Sequence, residues 1–208
     1  TQYQRLVLGL WVQAEGAIYE NFDIKGNVTP EADYNPIKGE VLWGGDDGYA
    51  TGKGPGTESY HPRAVLLAQR NHLGGLDIFA EYEKAGVHDH HMTVNELLQA
   101  GWPKPEAAAI DSSAQMWIAT LFNDYDIYAV GATHVVSEGI KLVRQMICDG
   151  RGVRMIRIHP RCKRLITSLQ GYRYADSGIS KAGEVRPLKI DDHLPDCLRY
   201  LAWVFSGN

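Results

Sequence analysis

The chain has 208 residues, 44% of them hydrophobic and 22% charged, with a formal net charge of −4. That balance excludes a disordered or fibrous chain and leaves room for one large domain or two small ones. No apolar run approaches the roughly 20 residues that span a bilayer, so no membrane partner is expected.

In chain order, residues 1–23 are apolar and aromatic without a clean period, and the polar stretch 25–38 follows. Residues 1–40 therefore read as an N-terminal arm or linker remnant packing on a main domain of residues 41–208, and the whole as a domain excised from a longer protein. Residues 41–45 predict a short strand, then a Gly-rich loop to Tyr60. Residues 64–68 form an apolar run and 76–82 alternate, so three successive strands suggest an antiparallel meander. Residues 93–100 predict a helix with Thr93 as N-cap and Glu96 at the capping-box position. A strand at 107–110, a helix at 113–122 and a strand at 127–130 follow. Residues 135–147 predict an amphipathic helix with Ile140, Val143 and Ile147 on one face. A short strand at 153–158, a helix at 162–170, a β-hairpin over 172–189 with Gly178 and Gly183, and a last helix through Phe205 complete the pattern. Asp191 or Asp192 is the expected cap of that helix. The order gives an α/β class: a mixed β-sheet flanked by helices, with a C-terminal hairpin before the last helix. That is the order of a ribonuclease H-like fold.

The net charge hides an asymmetry. Residues 1–138 hold 8 Lys and Arg against 19 Asp and Glu, net −11, and residues 139–208 hold 13 against 6, net +7. A basic C-terminal third facing an acidic remainder suits a phosphate backbone, although an ordinary uneven surface gives the same numbers. Cys148, Cys162 and Cys197 are an odd number without metal-type spacing, which predicts reduced thiols.

Three acidic stations stand out. Asp46 ends a strand beside Gly44 and Gly45, whose missing side chains would let a metal or phosphate approach the backbone. Asp47 should point the opposite way by strand alternation, unless a bend at Gly48 reverses it. Asp111 follows an apolar strand and could also cap the next helix. Asp192 and Asp196 are one helical turn apart, and His193 and Asp196 can converge as well. Each acid has a bland alternative as a turn former or cap. Together they would make an all-oxygen site for two Mg²⁺ or Mn²⁺ ions.

The segments Gly44-Gly45-Asp46-Asp47-Gly48, Ile110-Asp111-Ser112-Ser113-Ala114 and Asp192-His193-Leu194-Pro195-Asp196-Cys197-Leu198-Arg199-Tyr200 resemble the nuclease domain of tailed-phage large terminases. The stretch Gly9-Leu10-Trp11-Val12-Gln13-Ala14-Glu15-Gly16-Ala17-Ile18-Tyr19 resembles the segment preceding that domain. Cys197 stands where the family usually has Ala. The resemblance implies a ribonuclease H-like endonuclease that cuts concatemeric double-stranded viral DNA during genome packaging in the host cell cytoplasm. It implies Asp46, Asp111 and Asp196 as metal ligands, with Asp192 beside them and His193 as an auxiliary catalytic residue. It also implies an ATPase domain on the same full-length chain, and portal protein and small terminase subunit as partners. A junction resolvase or transposase-type nuclease, or a non-catalytic DNA-docking module, would share the acids or the fold.

Other motifs are weaker. Gly48-Tyr49-Ala50-Thr51-Gly52-Lys53-Gly54 lacks the spacing and the Ser or Thr of a nucleotide-binding loop. It reads as a flexible loop with Lys53 near DNA. His88-Asp89-His90-His91 reads as a solvated loop rather than a zinc site. Glu81 reads either as a supporting acid or as an exposed one. Arg161, Lys163 and Arg164, with Lys181, Arg186 and Lys189 of the hairpin, are the candidate phosphate contacts.

Overall fold

In the computed structural model of the chain, which describes residues 16–48, 50–51, 59–87, 89–132, 135–179 and 185–206, the apolar run from Val41 forms an inner strand of a six-stranded sheet. The strands are β1 (Val41–Asp46), β2 (Ala50–Thr51), β3 (Ser59–Tyr60), β4 (Arg63–Arg70), β5 (Leu76–Lys84), β6 (Ala107–Asp111), β7 (Tyr128–Ala132), β8 (Ile156–Ile158), β9 (Tyr174–Ile179) and β10 (Val185–Pro187). The helices are α1 (Ile24–Asn27), α2 (His90–Gln99), α3 (Gln115–Tyr125), α4 (Val136–Ile147), α5 (Lys163–Gly171) and α6 (His193–Phe205), with a 3₁₀ turn at Pro30–Ala32.

The main sheet runs β7–β6–β1–β4–β5–β8. The expected antiparallel meander is β1–β4–β5; β6 and β7 continue it parallel to β1, and β8 lies parallel to β5. The mixed sheet flanked by helices and the hairpin β9–β10 are as the sequence predicts. Because β1, β5, β6 and β7 point the same way, their C-terminal ends share one edge of the sheet. Asp46, Glu83 and Asp111 lie at that edge.

Both sheet faces are covered, which explains why β1 and β4 are apolar almost throughout. On one face Leu42, Leu66 and Ile78 pack with Val143 and Ile147 of α4, Leu165 of α5, and Leu198 and Leu201 of α6. The opposite face buries Trp43, Val65, Leu67 and Phe79 against Val94 of α2 and Trp117 and Leu121 of α3. The Gly44–Gly45 pair sits where both layers close in. A Cβ on Gly44 would lie 2.6 Å from the Cys197 carbonyl oxygen and from Leu201 Cγ, and one on Gly45 2.6 Å from Trp117 Cη2. The space the glycines vacate is therefore filled by helices. It is not an approach for metal or phosphate.

Residues 16–32 insert into the first of these layers. Ile18 and Tyr19 are fully buried and Tyr19 stacks on Tyr172 at 5.7 Å. Asn27 donates through Nδ2 to the Ile147 and Ile156 carbonyls, both at 2.9 Å, satisfying backbone groups where α4 ends and β8 begins.

The starts of α2 and α6 differ from expectation. α2 begins three residues before Thr93, and Asp89 caps it by accepting from His91 N at 2.9 Å. The His88–His91 run is thus the start of a helix, with His88 itself outside the described residues. Thr93 is buried within the helix, where its hydroxyl accepts from Arg63 Nη1 at 3.2 Å. Glu96 bonds Tyr82 and Lys84 rather than a helix end. At α6, Asp192 holds the N-cap position but its side chain makes no cap bond, since it is paired with Lys189. All three cysteines are free thiols, and Cys162 and Cys197 are buried.

Candidate functional site

Strand parity separates the two consecutive acids of β1. Leu42, Gly44 and Asp46 face α6; Trp43, Gly45 and Asp47 face α3. Asp46 Oδ2 lies 2.6 Å from His193 Nδ1, at the first turn of α6. Asp47 is turned the other way. Its Oδ1 takes Arg63 Nε at 2.8 Å and Nη2 at 2.7 Å, and its Oδ2 lies 3.2 Å from His90 Nε2. Arg63 is almost fully buried, with its guanidinium 5.2 Å from the Trp117 ring centre.

β6 brings Asp111 alongside, in parallel register one residue beyond the Gly45–Ile110 pair. Its Oδ1 accepts from Ser113 N at 2.8 Å, closing an Asx turn, and its Oδ2 accepts from Tyr200 Oη at 3.3 Å. The helix-cap alternative for Asp111 does not apply: α3 starts at Gln115 behind Ala114, with no side-chain cap.

α6 lays the third station over the sheet. Asp196 is buried, and its Oδ1 pairs with Arg199 Nη2 at 2.7 Å and accepts from Tyr172 Oη at 3.4 Å. Lys189 Nζ lies 2.8 Å from Asp192 Oδ2 and 3.7 Å from Asp196 Oδ2, so one ammonium bridges both acids of this turn. The edge of the imidazole of His61 faces that of His193, with ring centres 5.8 Å apart.

The electrostatics link the stations. Burial pushes the Asp46 carboxyl above the ordinary carboxylate range; the negative fields of Asp196 and Asp111 push the same way and the His193 bond opposes them. Burial also disfavours a charged His193, but the bond and charge of Asp46, with Asp192 and Glu83, outweigh it and raise its pKa. Burial raises the Tyr200 hydroxyl, as do the charges of Asp46, Asp196 and Asp111, and keeps it a proton donor. A confined group of like charges built from hard oxygen donors is chemically suited to Mg²⁺ or Mn²⁺, which would relieve the repulsion. Among the described residues, no three His, Cys, Asp or Glu side chains converge tightly enough to coordinate one ion. Asp46 and Asp196 are instead directed at His193 and Arg199.

Of the candidate phosphate contacts, Lys53 and Lys181 lie outside the described residues, and Arg186 is described by its backbone alone. Arg161 donates to Asp33 at 2.7 Å and lies over Trp102, 5.5 Å from its ring centre. Lys163 is exposed; Arg164 bonds Glu83 at 2.8 Å; Lys189 is in the acid group. Sequence reasoning missed Arg63, His90 and Tyr200. Alternation puts Glu83 on the same face as Glu81, and β-sheet register places it in the row of Asp46 with Ala64 between them. Tyr200 closes the family-like segment that begins at Asp192 and His90 lies in the His88–His91 run, but nothing local pointed to Arg63.

No protein-family model and no curated protein matches the chain. Solved structures do. The large terminase of a thermophilic bacteriophage, in complex with ADP, superposes with a TM-score of 0.75 at 25% identity, covering 99% of this chain and 49% of that one. The nuclease domain of the bacteriophage SPP1 large terminase with bound Mn gives 0.59 at 19% identity, covering 88% of this chain and 95% of that domain. The large terminase nuclease of the thermophilic phage G20c with bound magnesium gives 0.58 at 12%, covering 93% and 98%. The chain spans about half the length of the ADP-bound terminase and nearly the whole of the other two. Its fold is that of a large terminase nuclease domain, ribonuclease H-like, as the sequence resemblance implied.

Proposed function

We propose that this chain is the divalent-metal-dependent DNA endonuclease domain of a tailed-phage large terminase, cutting concatemeric double-stranded DNA during genome packaging. One observation carries the reading. On the terminase nuclease fold, Asp46 and Asp111 end adjacent parallel strands, and Asp196 on α6 is close enough to shift the Asp46 carboxyl.

In this reading Asp46, Asp111 and Asp196 hold two Mg²⁺ or Mn²⁺ ions, with Asp192 beside them. When bound, the ions supply Lewis-acid stabilisation of the attacking and leaving oxygens of a phosphodiester. The chain's own groups prepare that site. His193 holds a proton at Nδ1 against Asp46 Oδ2 and so fixes which oxygen of Asp46 is open. The Tyr200 hydroxyl and the Ser113 N–H donate to Asp111 Oδ2 and Oδ1, and Arg199 donates to Asp196 Oδ1 with Lys189 Nζ 3.7 Å from Oδ2, so both carboxylates are held in orientation before an ion arrives. Lys189 offsets the charge of Asp192 and Asp196.

In a full-length protein the domain would follow an ATPase domain and work with portal protein and small terminase subunit, in the cytoplasm of the infected host. No helix among the described residues is long and apolar enough to cross a membrane. The deciding experiment is nicking and linearisation of supercoiled plasmid in Mn²⁺, Mg²⁺ or EDTA, beside Asp46→Ala. Cleavage that needs metal and vanishes in the variant supports the reading. An inactive wild type in both metals defeats it.

A further inference from the structure

Helix α5 is fastened to the edge of the sheet that carries the acids. Glu81 and Glu83 follow each other on one face of β5, and both reach the first turn of α5. Glu81 accepts from the backbone N–H of Arg164 at 2.9 Å and of Leu165 at 2.8 Å, which caps the helix. Glu83 Oε2 takes Arg164 Nη1 at 2.8 Å. Glu83 shares a register row with Asp46, so α5 starts beside the acid group.

From that point a groove follows the outer side of α5. Its first part is a cavity of about 400 Å³ lined by Glu83, Lys163, Arg164, Thr167, Ser168 and Asp191. A second cavity of about 260 Å³ shares Thr167, Ser168 and Asp191 with it and ends at Arg173, under the link through Leu188 and Ile190. The two therefore adjoin, and the groove runs across both. Bases stand along its length: Lys163 and Arg164 near the acids, Arg173 at the far end. Glu83 and Arg164 offset each other, so the charge left along the groove is Lys163 and Arg173 against Asp191, net +1. The Ser168 hydroxyl lies between the bases, while that of Thr167 donates back to the Lys163 carbonyl at 2.8 Å. Among the lining residues there is no aromatic ring on which a base could stack. Cations and hydroxyls spaced along a groove, without stacking surfaces, recognise sugar-phosphate backbone rather than base edges. Arg161, the neighbouring base, is held by Asp33 and Trp102 and does not line it.

We propose that this groove carries the phosphate backbone of one strand of the bound duplex away from the acidic site, with Lys163 and Arg173 as its contacts and Arg164 committed to Glu83. The proposal rests on the reading of the chain as a DNA nuclease and adds the path of its substrate. Lys163 and Arg173 are exposed, so reversing their charge leaves the core intact. The test is fluorescence anisotropy of a labelled 30-base-pair duplex, about three helical turns, with wild type, the double variant K163E/R173E and the control K141E at an exposed position of α4. Titrations are run in EDTA over a series of salt concentrations, and plasmid cleavage in Mn²⁺ is measured on the same preparations. The expected result is a loss of about tenfold or more in affinity for the double variant, a salt slope shallower by about 2, and wild-type behaviour of the control. A double variant that binds with wild-type affinity and salt slope overturns the groove while leaving the nuclease reading in place. A wild type that neither binds nor cuts defeats the nuclease reading, and the groove with it. Melting curves confirm that all three proteins are folded.

Discussion

Asp46 and Asp47 are consecutive and serve opposite faces of one sheet: Asp46 meets His193 of α6, and Asp47 meets the buried Arg63 beside Trp117. Their substitutions should separate function from stability. Asp46→Asn removes a buried charge that Asp196 and Asp111 repel but also the partner of His193, so it should abolish plasmid cleavage while changing the melting temperature in EDTA by less than Asp47→Asn does. Asp47→Asn leaves the Arg63 guanidinium buried without its counter-ion. Losing one partner of a buried pair costs about 3–5 kcal/mol, with the low end expected here because Asp47 is partly exposed. Tm should fall by about 6–12 °C. Cleavage should persist below the lowered Tm. A D47N protein that is stable and dead would instead make Asp47 part of the reactive site.

Metal should stabilise the fold through the acid group. A divalent ion at about 100 times its Kd adds about 2.7 kcal/mol, or roughly 5–10 °C in Tm for a chain of this size. Mn²⁺ should give that shift with wild type, EDTA should reverse it, and Asp111→Asn and Asp196→Asn should blunt it. Differential scanning calorimetry reads it without any cleavage. A shift that survives both substitutions would place the ion elsewhere.

The pH dependence of the metal-free protein follows from His193. Its folded pKa is raised above the ordinary value of about 6.5, so its contribution to stability is complete below that value and is lost as pH rises through the folded one. Tm in EDTA should decline from about pH 6.5 upward, and His193→Asn should flatten that decline. Asp46, also raised, gives the same sign in a lower window that begins near the ordinary carboxylate range. A Tm that climbs with pH across the His193 window, equally in both proteins, would rule the pairing out as a source of stability.

Gly44→Ala tests how closely α6 must approach β1. The added methyl would press on the Cys197 carbonyl and Leu201, and overpacking of this kind costs about 1–3 kcal/mol. Because α6 carries His193 and Asp196, cleavage should fall with the stability. Gly150→Ala has open space around the new atom and should be neutral in both assays. Equal Tm values for the two variants would show that α6 does not need a bare backbone beneath it.

Much of this architecture can be read from residue spacing, where burial has a simple period. The meander, the hairpin and the amphipathic helix around Ile140, Val143 and Ile147 follow from alternation and from 3.6-residue spacing. Parity also told Asp46 from Asp47. What escaped depends on distant partners. Thr93 and Glu96 make a plausible capping box, yet Arg63 claims the threonine and Lys84 and Tyr82 claim the glutamate. The cap of α5 comes from Glu81, 83 residues away in sequence, and no local pattern encodes it. Gly44 and Gly45 read equally as room for a ligand or for a helix until α6 and Trp117 are in place.

The buried position of Tyr19 matters for anyone trimming this domain. Tyr19 stacks on Tyr172, and the Tyr172 hydroxyl reaches Asp196. A fragment cut to begin at Val41 would keep every acidic side chain of the site. It would strip Ile18, Tyr19 and Phe22 from the layer beneath α6 and uncap the carbonyls that Asn27 satisfies. Such a fragment should behave as an expanded, dye-binding species with native-like helix content and no fixed aromatic signals, rather than as a smaller version of the same protein.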